Sequence, residues 1–149
     1  YLEKTKDFSD VTYFGIDIVP EMITHAKINY GDQLFVSGDY LEMDFSQQYD
    51  YIICNAIMTQ KLKHSIPEMK SFCRQLIKKM FADCVRGIAF TVMSDRVNFK
   101  ADNLYYQNPP EMLSYMLDNL SCRVVIDHGY SSLDSGEGHF YDYIVYAYK

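Results

Sequence analysis

Residues 11–23 read V-T-Y-F-G-I-D-I-V-P-E-M-I, and the fold turns on how that run divides. Val11 to Ile18 is short, apolar and rich in β-formers, which suits a buried strand of a parallel sheet. Pro20 has a fixed φ and no N–H, both suited to the first turn of a helix, and Glu21 follows it. The run therefore predicts a strand with Asp17 near its end, then a helix to about Asn29, stopped by Gly31-Asp32.

The alternation continues outward. Gln33 to Ser37 predicts a second strand, closed by Gly38-Asp39, and Tyr49 to Asn55 a third. From Ile66 to Cys84, Met69, Phe72, Cys73, Leu76, Ile77, Met80 and Phe81 recur at three- and four-residue steps, which makes one apolar helical face. Gly87 leads into a strand over Ile88 to Met93. A loop from Ser94 to Asn108, long for a compact domain, precedes a helix opened by Pro109-Pro110-Glu111 and running to about Leu120. The chain closes with strands at Arg123 to Asp127 and Phe140 to Tyr148, joined by a Gly/Ser-rich turn from Ser131 to Gly138. That connection has no room for a crossover helix, so the last pair is expected to be antiparallel. The order predicts an α/β domain over residues 1–149 with a mostly parallel sheet. Repeats, low-complexity segments and dividing linkers are absent from the sequence.

Composition narrows the function. The 149 residues are 48% hydrophobic with fourteen Tyr and nine Phe, as a globular domain requires. A net charge of −6 and the lack of a basic stripe argue against nucleic acid as a partner. Cys54, Cys73, Cys84 and Cys122 show no metal-ligand spacing and read as free thiols of a reducing, cytoplasmic setting. No apolar run reaches the length of a membrane span, and the polar first residues do not resemble a signal peptide. The start at Tyr1 rather than Met gives the expectation that the natural protein extends upstream.

Ligands of such sheets bind beyond the carboxyl ends of the strands. Three residues close strands there. Asp17 offers two acceptor oxygens to a ribose's paired hydroxyls; the competing reading is a cap for the helix at Pro20. Asp39, followed by apolar Tyr40 and Leu41, suits the exocyclic amine of adenine, or is an ordinary turn acid. Asn55 can orient a substrate or the amino-acid half of a cofactor, or simply ends a strand.

The runs Tyr13 to Ile23, Val36 to Tyr40 and Tyr49 to Asn55, with the closing hairpin through Tyr141 to Lys149, resemble the class I S-adenosylmethionine-dependent methyltransferases. The resemblance implies a Rossmann-like sheet, mostly parallel with an antiparallel C-terminal strand. It implies S-adenosylmethionine as cofactor and a small-molecule methyl acceptor. Asp17 would bind the ribose, Ile18 and Met22 would pack on ribose or adenine, Asp39 with Tyr40 would recognise adenine, and Asn55 with Ala56 would line the methyl-transfer site. Methyl transfer mainly needs the acceptor positioned, so no fixed catalytic residue follows. His64, His128 and His139 are candidate bases or ordinary histidines, and the tyrosine-rich loop Asn103 to Asn108 either walls the acceptor site or is packing.

The sequence departs from the family in one respect. Nothing before Val11 supplies the glycine-rich loop that ends the family's first strand, and the one G-E-G, Gly136 to Gly138, lies near the far end. The expectation is a domain without its first strand and most of its first helix, inactive as this piece, with two central strand edges left open. A further segment of the protein or a homo-oligomeric copy would cover them. The competing readings are a non-catalytic subunit that keeps the fold as an interaction module, and a nicotinamide-dependent oxidoreductase.

Overall fold

The computed structural model describes residues 11–31, 34–45, 48–129 and 141–149. By their contacts the residues form two compact units, Tyr1–Asp44 and Phe45–Lys149.

In the first unit, β1 (Gly15–Asp17) pairs in parallel with β2 (Phe35–Ser37), and α1 (Pro20–Tyr30) connects them. Pro20 begins α1 as the sequence predicts, Glu21 sits in its first turn, and Gly31 ends it at φ 98°, a backbone state that glycine adopts without strain. The strand is shorter than the apolar run predicted: Val11 to Phe14 lie outside it, and among the described residues β2 pairs with it at three positions. Gly15 is buried against Phe35, and a Cβ there would meet the Phe35 ring at 2.6 Å.

The second unit is built on a five-stranded sheet. Its main order is β3 (Tyr49–Cys54), β4 (Cys84–Ser94), β7 (Asp142–Tyr148), β6 (Arg123–Asp127), with two-residue β5 (Tyr106–Gln107) against the end of β4. β3 and β5 run parallel to β4, and β7 is antiparallel to both β4 and β6. The expected antiparallel ending is present, with β7 inserted between β4 and β6. Two features differ from the sequence reading. β4 starts at Cys84, directly from the helix before it, rather than at Ile88. The loop after β4 contains β5. Phe140 and the turn Ser131 to Gly138 lie outside the described residues.

One face of this sheet is the core. Ile88, Phe90 and Val92 of β4 stand opposite Ala147, Val145 and Tyr143 of β7, and all six are at most 2% exposed. α2 (Ile66–Asp83) packs on β3 and β4, and α3 (Pro109–Asn119) on β6. α2 buries Met69, Cys73, Leu76, Ile77 and Met80, most of the predicted face. It opens with a reciprocal cap: the Ser65 hydroxyl accepts from the Glu68 N–H, and the Glu68 carboxylate accepts from the Ser65 N–H at 2.7 Å. The opposite sheet face is more open, with Tyr51, Ile53 and Val125 exposed. Among the described residues β3 pairs only with β4, so its other edge is unpaired. No described helix is long and apolar enough to cross a membrane.

Candidate functional site

The first unit brings Asp17 and Asp39 to one rim. β1 and β2 run the same way, so their carboxyl ends share an edge, and Asp17 is in register with Ser37. The Gly38 N–H donates to the Asp17 carbonyl at 3.0 Å, and Asp39 follows at once. Each acid makes the same local turn. Asp17 Oδ1 accepts from the Val19 N–H at 2.8 Å, and Asp39 Oδ1 accepts from the Leu41 N–H at 2.9 Å. These turns fix both side chains yet engage only Oδ1. Val19, not Asp17, is the N-cap of α1, and no side chain caps that helix. Ile18 and Met22 are 65% and 59% exposed beside the acid, while Tyr40 is half-buried.

Asn55 and Ala56 follow β3 in the second unit, where a residue of the neighbouring strand holds them. The Thr91 hydroxyl donates to Asn55 Oδ1 at 2.7 Å and accepts from the Ala56 N–H at 3.0 Å. Ala56 is left-handed, φ 63°, a conformation that costs a non-glycine residue energy and that neighbouring bonds must maintain. The Thr59 hydroxyl supplies one such bond, donating to the Ala56 carbonyl at 2.6 Å. Sequence reading passed over Thr91. Its signal is a hydroxyl, able to donate and to accept, in the otherwise apolar strand I-A-F-T-V-M.

The tyrosine-rich loop is tied to this same turn segment. The Tyr105 N–H donates to the Thr59 carbonyl and the Lys61 N–H to the Asn103 carbonyl, both at 2.8 Å. Tyr105 is buried, which pushes its hydroxyl up to about 12, and the Tyr106 hydroxyl accepts from the Ala101 N–H. Both rings take part in packing. The cleft beside them, between α2 and α3, holds only about 130 Å³, too little for a nucleoside cofactor.

The histidines differ in setting. His64 is exposed. His128 Nε2 lies 2.7 Å from the buried Ser94 hydroxyl, and its ring stacks on Tyr143. His139 lies outside the described residues. Burial raises the thiols of Cys54, to about 11, and Cys73, to about 12, so both stay neutral. Among the described residues no cluster of three or more potential metal ligands occurs.

A family model described as a methyltransferase domain matches residues 2–125. The chain belongs to this methyltransferase-domain family. Among solved structures, magnesium protoporphyrin IX methyltransferase of Synechocystis PCC 6803 is similar in fold, with a TM-score of 0.62 for the form with bound SAH and 0.59 for the form with bound SAM; each is 17% identical to this chain. A protein of Thermoplasma acidophilum aligns with a TM-score of 0.55 at 18% identity, covering 93% of this chain and 67% of that one. This chain covers 63% and 58% of the two Synechocystis structures' chains, with 91% of its own residues aligned. No curated protein matches it by sequence. The methyltransferase fold accounts for the mostly parallel strands and the antiparallel β7.

Proposed function

We propose that this methyltransferase domain serves an S-adenosylmethionine-dependent enzyme that methylates a small molecule. The supporting observation is the pair Asp17 and Asp39, held on one rim with Oδ1 of each engaged by its own turn and Oδ2 facing no described partner. Two fixed acceptors beside exposed Ile18 and Met22 fit the hydroxyls, amine and apolar faces of an adenosine. Asp17 would take the ribose, and Asp39 with Tyr40 the adenine. Asn55 and Ala56 would line the transfer site. The described residues contain no glycine-rich turn for the methionine end, so tight binding requires a further segment of the protein or a second copy of the chain.

When bound, S-adenosylmethionine supplies a methyl carbon activated by positive sulfur, whose bonding electrons return to sulfur as the acceptor attacks. The protein's part is to position the acceptor. The net charge of −6 supports a soluble metabolite over nucleic acid, and the free thiols support a cytoplasmic setting.

Calorimetry on the protein in its full natural length tests this. S-adenosylmethionine should bind, and Asp17→Asn or Asp39→Asn should weaken it about ten- to a hundredfold, the value of a hydrogen bond to a charged group. No binding at about millimolar ligand refutes the reading. One observation favours the alternative of a non-catalytic interaction module: Tyr51 and Ile53 lie exposed on β3, whose edge away from β4 pairs with no described strand. Sedimentation would then show a stable complex through that edge without cofactor affinity.

A further inference from the structure

On the side away from the sheet, α2 carries a row of cations. Lys70, Arg74 and Lys78 recur at four-residue steps, so they share one stripe of the helix, about 12 Å long from first to last. With Pro67, Ser71 and Gln75 they line an open groove of about 400 Å³. Lys70 and Arg74 also line the cleft of about 130 Å³ between α2 and α3, so the two hollows share a wall.

The cleft has an apolar floor. Cys73, Ile77 and Met112 line it, and each is at most 6% exposed. A dry cavity of about 150 Å³ takes a benzene-sized group, so this cleft has room for one aliphatic side chain. Its mouth is polar and braced from α3: Glu111 forms an ion pair with Lys70, and the Arg74 guanidinium lies 4.7 Å from the Tyr115 ring centroid. Glu111 is the one acid among the lining residues of both hollows. Lys78 is exposed and has no ionic partner among the described residues. Three cations therefore face a single carboxylate, in a chain whose net charge is −6.

That contrast selects the occupant. A long polyanion such as nucleic acid would feel the repulsion of the whole chain, whereas a short acidic segment within a Debye length of about 8–10 Å feels mainly the local cations. A small inorganic anion would reach one or two of the cations and leave the cleft empty. A row of about 12 Å matches about four residues of extended chain. An apolar anchor pocket inside a polar rim is also how protein interfaces concentrate their affinity.

We propose that the groove and cleft on α2 form a docking surface for a short acidic segment of a partner protein, with its carboxylates along Lys70, Arg74 and Lys78 and one apolar side chain seated on Cys73, Ile77 and Met112. The surface lies wholly within the second unit and is independent of the cofactor reading.

Fluorescence anisotropy with the labelled peptide Glu-Glu-Leu-Glu-Glu tests it on the protein in its full natural length. The peptide should bind saturably, and raising salt from about 50 to 500 mM should weaken it. Lys78→Glu should weaken it about threefold or more. Glu-Glu-Gly-Glu-Glu, which lacks the anchor, should bind about tenfold more weakly or worse, the value of burying a leucine side chain. In NMR of methyl-labelled methionine, the Met112 methyl should shift with the leucine peptide and stay in place with the glycine peptide. Thermal melts report folding, and Lys78→Gln carries the test if Lys78→Glu unfolds. Overturning results are no binding at about millimolar peptide, equal affinity for the two peptides, an unmoved Met112 methyl, or wild-type affinity in a folded Lys78→Glu. A thymidine oligonucleotide that competes as well as the leucine peptide also overturns it. So does a dimer in sedimentation that Lys78→Glu dissolves, which would give the surface to a second copy of the chain.

Discussion

Gly87 lies where β4 meets β7, at a point that tolerates no side chain. A Cβ built there falls 2.7 Å from the Ala147 carbonyl oxygen and 3.1 Å from the Tyr148 ring, whereas ordinary contacts begin at 3.4 Å. Gly87→Ala must therefore force the strands apart by roughly 0.7 Å, the difference between those distances. β7 has nowhere to retreat, because β6 is bonded along its other side and Ala147 is fully buried. Overpacking costs about 1–3 kcal/mol, and the intruded atoms are mostly backbone, which places this case in the upper half. A strained ladder bond adds up to about 1 kcal/mol, and the lower entropy of the unfolded alanine chain returns about 0.4–1 kcal/mol. The expected net loss is about 2 kcal/mol, measured by urea titration, with a melting point lower by roughly 5–10 °C. Gly129→Ala is the control: among the described residues its Cβ meets only Asp127 Oδ1, at 3.5 Å, so stability should stay within about 0.5 kcal/mol. A Gly87→Ala protein as stable as the control would refute the packing argument.

Three further outcomes are expected. Ser65→Ala, which removes the reciprocal cap of α2, should cost about 1 kcal/mol in urea titration. Timed alkylation of the native protein, read by mass, should modify Cys122 first, since Cys54, Cys73 and Cys84 are buried and their thiols are raised by burial. Asp142 is half-buried with Oδ1 lacking a hydrogen-bond partner, and desolvation raises its carboxyl above the usual range. The fold thus binds its proton more tightly than the unfolded chain does, and stability is lost as pH rises from the ordinary aspartate range through the raised value. Asp142→Asn should relieve that loss. Its stability relative to wild type, followed by melting from acid to neutral pH, should rise across this window and be flat below it.

Much of the fold is written locally. Pro20, Gly31 and the Ser65–Glu68 pair punctuate helices through chemistry that needs no distant partner, and the short link before β7 dictates its direction. What stayed hidden depends on partners. Val11 to Phe14 has strand character but no strand among the described residues pairs with it, and no glycine or proline marks Cys84 as the point where α2 gives way to β4. β5 is too short to show a period. The candidate site divides in the same way. Asp17, Asp39 and Asn55 could be picked out because they end apolar runs. The restraint on Asn55 comes from Thr91, thirty-six residues away, and exists only in the register of β3 with β4.

The insertion of β7 between β4 and β6 has a consequence for how the chain is made. Each β4 residue from Gly87 to Met93 pairs with one between Tyr148 and Asp142, some fifty to sixty positions later. On the ribosome, β3 and β4 emerge with α2 already able to shield one face, yet the gap between β4 and β6 stays open until the last of these segments is translated. During that wait the nascent chain displays Phe90 and Val92 beside a bare ladder of amides, the kind of surface that aggregates unless a chaperone shields it.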